Sequence, residues 1–162
     1  MKERILTIGN AGAGKSFALI KIAENMPEHD FYVLDTDDRY EAMLKGINLN
    51  NIHVYPCANW SEIESATNKI VTVIKKGDWV VPDMLDTWWS YVQRYYTNQI
   101  FDKGFGEYAL QVRKRIKQDD TSVTMFDGWR DWSVIKGLYN DNWEKIVSNR
   151  CNIYATARAE AV

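Results

Sequence analysis

The segment of this 162-residue chain with the most evident chemistry is GNAGAGKS, at residues 9–16. Its glycines allow the backbone to curl so that successive N–H groups point inward toward an anion. At the end of the segment, the Lys15 ammonium would reach the β- and γ-phosphates of a nucleotide, and the Ser16 hydroxyl would hold Mg²⁺. The spacing therefore predicts a phosphate-binding loop, and the alternative is a glycine-rich turn that binds nothing.

The segments on either side of this loop fit the first interpretation. RILTI at residues 4–8 is typical of a strand, and FALIKIA at residues 17–23 is typical of a helix with an apolar face. The helix N-terminus would add its partial positive charge to the loop. Strand, loop and helix in this order form the Walker A element of P-loop NTPases, which bind ATP with Mg²⁺. The residues expected to contact the nucleotide are Gly9, Asn10, Ala11, Gly12, Ala13, Gly14, Lys15, Ser16 and Phe17.

Composition and length limit the other functions. The net charge of −2 gives no overall attraction to nucleic acid or anionic membranes, so such binding would need a local patch. No apolar run is long enough to span a bilayer, and the N-terminus leads directly into the first predicted strand. We therefore expect a single domain over residues 1–162, with no signal peptide and no membrane contact, in the cytoplasm (the host cytoplasm if the chain is phage-encoded). Cys57 and Cys151 are interpreted as buried thiols rather than a disulfide or a zinc site.

Strand and helix patterns alternate along the chain, which predicts an α/β fold with a mostly parallel sheet. Strands are expected at residues 4–8, 31–34, 52–55, 79–81 and 151–156, and helices at 17–26, 40–45, 62–75, 86–100 and 132–147. Residues 101–118 are amphipathic but interrupted by two glycines, and residues 119–127 are typical of a loop. The chain stops just after the fifth strand, so it is either a short version of the fold or the N-terminal part of a longer protein, truncated at the C-terminus.

One of these helices carries its own start signal and buried face. Asn59 or Ser61 can cap the helix predicted at residues 62–75. Its buried face is expected to consist of Ile63, Ala66, Ile70, Val73 and Ile74.

A magnesium site beside a phosphate loop needs an acidic group at the end of a neighbouring strand. Asp83 follows WVVP at residues 79–82 and is the predicted Walker B residue. Asp86 is the competing candidate, although it is better placed as a helix N-cap. Pro82 is unusual here, because proline is disfavoured in a central strand except at its last residue.

Hydrolysis also needs a group that positions or deprotonates the attacking water. The residue after Asp83 is Met84, so this group must come from another segment. Asp37 and Asp38 follow the second predicted strand and are the available carboxylates. Alternatively, either of them caps the helix that begins near Arg39.

Taken together, the loop at residues 9–16, the strand that runs into Asp35-Thr36-Asp37, and Val80-Val81-Pro82-Asp83 resemble the RecA-like ATPase core. The chain is similar in particular to small phage-encoded P-loop ATPases related to recombinases and DNA-packaging motors. In RecA-like proteins a strand ending in Asp-Thr-Glu presents the catalytic Glu, so the resemblance places Asp37 in that role, with Lys15 and Asp83 as the other catalytic residues and Ser16 and Asp83 at the metal.

The same resemblance makes predictions about the sheet. Residues 152–156 resemble the sensor strand, which implies that Thr156 lies near the γ-phosphate. The implied fold is a three-layer P-loop NTPase with strands ordered 4–8, 152–156, 79–81, 31–34 and 52–55. The strand that usually lies on the other side of the P-loop strand is missing from the chain.

Three further features have two interpretations each. An aromatic stripe at helical spacing is either a stacking platform for single-stranded nucleic acid or part of the core; it comprises Trp88, Tyr91, Val92, Tyr95 and Tyr96. The basic run at residues 113–117 either contacts phosphates or forms a solvated face. Arg158, after the sensor-like strand, is a candidate to reach a phosphate, either that of its own subunit or that of a neighbouring one.

The residues predict an ATP·Mg²⁺-binding ATPase, and the resemblance implies that it is coupled to DNA recombination, repair or packaging. A small-molecule or nucleoside kinase and a non-hydrolysing nucleotide-binding module are the alternatives. The guanine-reading Asn-Lys-x-Asp motif is absent, since Val71 follows Asn68-Lys69-Ile70, which argues against a GTPase. The resemblance further implies a homo-oligomer, or docking to another protein, and binding of DNA.

Overall fold

A computed structural model describes residues 2–118 and 128–159 of the chain. The segment predicted to be a loop, residues 119–127, lies outside the described residues. Within them, five strands form one parallel sheet in the order β1-β5-β4-β2-β3. The strands are β1 (Arg4–Ile8), β2 (Phe31–Asp35), β3 (Ile52–Pro56), β4 (Trp79–Asp83) and β5 (Asn152–Ala157). The α/β class, the parallel sheet and the expected strand order are confirmed.

Helices flank the sheet on both faces. They are α1 (Lys15–Glu24), α2 (Tyr40–Leu44), α3 (Trp60–Val73), α4 (Leu85–Phe101), α5 (Phe105–Ile116) and α6 (Arg130–Ser148). Alternate residues of a strand face opposite sides of a sheet. On β2, Tyr32 and Leu34 pack in one core cluster with α3, α4 and α6. Phe31 and Val33 pack in the other cluster with α1 and α2. This arrangement is compatible with a three-layer α/β fold.

Pro82 lies inside β4, opposite Leu34 of β2, and not at the end of the strand. The Asp83 carbonyl accepts from the Thr36 N–H at 2.8 Å, so the backbone groups of Asp83 point toward β2. Those of Pro82 therefore point toward β5, because neighbouring residues of a strand alternate in direction. The registered pairing of β4 with β5 covers only Trp79 and Val80, so Pro82 interrupts no paired position there.

Two details of the predicted helices differ in the structure. Helix α4 begins at Leu85 with Met84 as its N-cap, so the prediction that Asp86 is the cap is wrong. Asp86 lies in the first turn instead. The prediction that Val73 belongs to the buried face is wrong, since this last residue of α3 is 51% exposed, whereas Ile63, Ala66 and Ile70 are buried as predicted. The partly buried Ile74 packs at the edge of the core cluster.

The outer strand of the sheet, β1, leaves apolar side chains uncovered. Ile5, Leu6 and Ile8 are all exposed, and Leu6 and Ile8 are more than half exposed. None of the helices in the described part of the chain is both long enough and apolar enough to cross a bilayer.

Candidate functional site

The loop between β1 and α1 has the backbone that its glycines predict. Gly12 and Gly14 have φ angles of +80° and +83°, a left-handed conformation that side chains with a Cβ rarely adopt. A Cβ on Gly9 would lie 3.1 Å from the Cβ of Ala13, a tight contact that glycine avoids. Gly14 is also the N-cap of α1 and has no side chain to cap it, which leaves the N–H groups of the first turn available to an anion.

The Lys15 side chain folds back over this loop. Its Nζ donates to the Gly9 carbonyl at 2.7 Å and to the Asn10 carbonyl at 3.1 Å. The side chain is 8% exposed and lines the cavity beside the loop. The fold therefore holds one positive charge inside the curl of the loop, where a phosphate group would lie.

Asp83 lies at the carboxyl end of β4, directly beside the loop, and is buried. Its Oδ2 accepts hydrogen bonds from Ser16 Oγ at 2.8 Å and from Tyr40 Oη at 2.9 Å. Its Oδ1 accepts from Thr156 Oγ1. Asp83 thus lies next to Ser16, as predicted, whereas the competing Asp86 turns its Oδ1 to the Arg158 N–H at 3.2 Å.

The donor set at this point suits Mg²⁺, which prefers hard oxygen ligands. It consists of the Ser16 hydroxyl and the Asp83 carboxylate. Among the described residues there is no group of three or more His, Cys, Asp or Glu side chains that could hold a metal by itself. A nucleotide-bound Mg²⁺ needs only one or two protein ligands together with phosphate oxygens and waters, so the residues fit such an ion.

Two of the residues that the sequence reasoning missed, Asp35 and Tyr40, make hydrogen bonds at this site. Asp35, at the end of β2, accepts the N–H groups of Arg39 at 2.9 Å and Tyr40 at 3.0 Å, so it satisfies the first N–H groups of α2. Tyr40 donates its hydroxyl to Asp83, and burial, followed by the charge of Asp83, raises its pKa. The position of Asp35 at the end of a buried strand was a usable signal; nothing in the spacing of the sequence pointed to Tyr40.

The structure separates the two candidate water-positioning carboxylates. Asp37 lines the cavity; its Oδ1 lies 3.6 Å from Arg158 Nη2 and its Oδ2 lies 3.4 Å from Arg39 Nη2. Asp38 is exposed, has a φ of +52° and is not among the residues that line the cavity. Asp35 is the side chain that caps α2, so the proposal that Asp37 or Asp38 does so is wrong.

These side chains surround a cavity of about 180 Å³. Residues 11–17 of the loop line it, as predicted, together with Asp37 and Asp83. Gly9 and Asn10 contribute their carbonyls to Lys15, and Thr156 is fully buried behind Asp83. The lining residues that the sequence did not predict are Asp35, Arg39, Tyr40, Met43 and Met84.

The aromatic stripe on α4 divides into two sets. Trp88, Val92 and Tyr96 are buried in the core. Tyr91 and Tyr95 instead line a second cleft of about 220 Å³ with Arg94, at the start of α3. The basic side chains of α5 are not among the residues that line either of these cavities.

No protein-family model matches the chain, and a search of curated proteins found no match. The assignment of function rests on the geometry of the site.

Proposed function

We propose that this protein is a P-loop NTPase of the RecA-like type that binds ATP·Mg²⁺ and hydrolyses it. The observation that carries the proposal is the 2.8 Å hydrogen bond between Ser16 Oγ and Asp83 Oδ2. It lies beside the loop in which Gly12 and Gly14 have left-handed φ angles. That contact brings together the Walker A hydroxyl and the Walker B carboxylate, 67 residues apart in sequence. A glycine-rich turn without a ligand has no need for a buried carboxylate at this point.

The residues divide the binding of a nucleotide among them. The loop N–H groups and the N-terminus of α1 hold the phosphates, and Lys15 exchanges its loop carbonyls for phosphate oxygens. Ser16 and Asp83 would hold Mg²⁺, which would supply positive charge to neutralise the phosphate oxygens. The cavity of about 180 Å³ is below the ~300–1,000 Å³ of pockets that enclose a ligand, so it suits the phosphate part of a nucleotide.

Asp37 is the residue proposed to position the attacking water. It lines the cavity, and no helix N-terminus among the described residues uses its side chain as a cap. A carboxylate in this position can accept a proton from water or orient it by a hydrogen bond. Thr156 acts by orienting Asp83, to which it donates.

The RecA-like assignment is supported by the sheet order β1-β5-β4-β2-β3 and by Asp35-Thr36-Asp37 at the end of β2. Coupling to DNA is supported by the cleft of Tyr91, Arg94 and Tyr95. Aromatic faces beside a cation suit single-stranded bases. The uncovered side chains of β1 support self-association or docking to another protein.

The test is phosphate release from ATP, measured alone and with single- or double-stranded DNA, together with a screen of phosphoacceptors. The proposal predicts hydrolysis that rises with DNA, from a protein that self-associates or docks to a further protein. A strictly monomeric protein that transfers phosphate to a nucleoside and ignores DNA would be a kinase. A protein that binds ATP but neither releases phosphate nor transfers it to any acceptor would be a binding module.

A further inference from the structure

Asp37 differs from the other carboxylates around the cavity in its partners. Asp35 accepts backbone N–H groups and Asp83 accepts hydroxyl groups, while the Lys15 ammonium is held by carbonyls. Among the described lining residues, the ion pairs are those that Asp37 makes with Arg158 and Arg39. A bound anion would therefore compete with Asp37 for a guanidinium group.

The backbone around Arg158 is fixed to the start of the phosphate loop. The Gly9 N–H donates to the Ala157 carbonyl and the Ala159 N–H donates to the Gly9 carbonyl, both at 3.3 Å. The Arg158 N–H donates to Asp86 at 3.2 Å. The side chain itself is 51% exposed, so its guanidinium can change partners while its backbone stays beside the loop.

The ion pair with Asp37 is a weak one. At 3.6 Å it is longer than the 2.7–2.9 Å typical of charge-assisted hydrogen bonds, and exposed pairs of this kind contribute little. A phosphate group offers a guanidinium two parallel hydrogen bonds, which is a stronger arrangement. The exchange of Asp37 for phosphate is thus favourable wherever a phosphate comes within reach.

We propose that Arg158 senses the terminal phosphate of a bound triphosphate. Its guanidinium leaves Asp37 for that phosphate, and the freed Asp37 oxygen becomes available to the attacking water. Arg39 is the second partner of the carboxylate, with its Nη2 at 3.4 Å from Asp37 Oδ2, and is not required to move in this exchange. This inference rests on the proposed function and adds a residue that distinguishes ATP from ADP.

The test is calorimetric binding of ADP and of the non-hydrolysable analogue AMP-PNP, both with Mg²⁺. In Arg158→Ala, affinity for AMP-PNP should fall about tenfold, as expected for a lost hydrogen bond to a charged group, while affinity for ADP should stay within about twofold of wild type. The affinity of Arg158→Lys for AMP-PNP should lie between those of wild type and Arg158→Ala, because lysine keeps the charge but not the planar fork. Arg150→Ala, at an exposed arginine that does not line this cavity, is the control for loss of an arginine.

A second variant tests the exchange itself. Asp37→Asn removes the competing anion, so affinity for AMP-PNP should rise by up to about fivefold, the equivalent of an exposed ion pair. The gain should vanish in the Asp37→Asn/Arg158→Ala double variant.

The outcomes separate this inference from the function on which it rests. If wild type binds neither nucleotide, the proposed function fails and the inference fails with it. If wild type binds both and Arg158→Ala changes neither affinity, or weakens both equally, the sensing role alone is overturned.

Discussion

Asp83 is a buried carboxylate whose orientation is fixed by neutral donors. Three hydroxyl groups, from Ser16, Tyr40 and Thr156, donate to its two oxygens. A buried carboxylate without such partners would be costly, so these hydroxyls both stabilise it and aim it at the loop. Burial and the nearby Asp83 raise the pKa of Tyr40, so its hydroxyl remains a donor at neutral pH.

The proposed role of Asp37 is testable by one isosteric change. Asp37→Asn removes the charge needed to orient or deprotonate water, and should lower kcat for ATP hydrolysis by about 10² or more without weakening ATP binding. Asp38→Asn, at an exposed neighbour outside the cavity, should hydrolyse ATP as wild type does. Steady-state phosphate release measures both, and equal kcat in Asp37→Asn and wild type would leave Asp37 without this role.

At the scale of elements, α3 shows how a local signal sets a helix boundary. Asn59 Oδ1 accepts a hydrogen bond from the Glu62 N–H at 3.0 Å, and Glu62 Oε2 accepts one from the Ala58 N–H at 2.7 Å. The first contact pairs an N–H group that the helix start leaves without a partner, and the second fixes the residue that precedes the cap. The sequence left Asn59 and Ser61 as alternative caps, and the structure selects Asn59.

The cap predicts a difference between two substitutions two residues apart. Asn59→Ala should lower the free energy of unfolding by about 1 kcal/mol, the usual contribution of an N-cap side chain. Ser61→Ala, at an exposed position inside the helix, should change it by less than about 0.5 kcal/mol. Urea denaturation measures both, and equal losses would contradict the cap assignment.

The elements also show what could be predicted from the sequence. Apolar patterns predicted all five strands, and the glycines of residues 9–16 predicted a curled backbone with left-handed positions. Both features could be predicted because their signals are local in the sequence. The start of α4 and the contact of Tyr40 with Asp83 could not be predicted in this way. They depend on how β2, β4 and α2 meet at the carboxyl edge of the sheet, which is tertiary packing and not spacing along the chain.

At the scale of the whole molecule, the reactivity of the two cysteines indicates whether the core is folded. Cys57 is 2% exposed and Cys151 is fully buried. Burial raises the pKa of Cys57 to about 12, with smaller contributions from Glu62 and Asp35, and burial also raises the pKa of Cys151. In the folded protein both thiols are therefore neutral and inaccessible at pH 8.

Alkylation with iodoacetamide at pH 8 should be slow in the native protein and fast in urea, because the thiolate is the reactive form. The raised pKa of Cys57 also predicts a pH dependence. Its contribution to stability is complete below the ordinary thiol value of 9.0 and is lost as the pH rises toward about 12, since only the unfolded thiol ionises in that range. Rapid labelling of both thiols in the native protein would contradict the burial.

The uncovered β1 edge is the other feature of the whole molecule that bears on function. Its exposed Ile5, Leu6 and Ile8 suit a surface that a partner covers. Self-association and docking to a further protein remain predictions, to be measured with the ATPase assay.

The most direct test of the central claim is calorimetric binding of ATP·Mg²⁺ to wild type and to Lys15→Ala. Lys15 lies inside the loop, and hydrogen bonds to charged groups contribute ~1.5–3 kcal/mol each, so the variant should bind at least about tenfold more weakly while remaining folded, as checked by circular dichroism. Lys21→Ala, which removes an exposed lysine of the same helix, should bind as wild type. A folded Lys15→Ala protein with wild-type affinity for ATP·Mg²⁺ would contradict the assignment of a phosphate-binding loop.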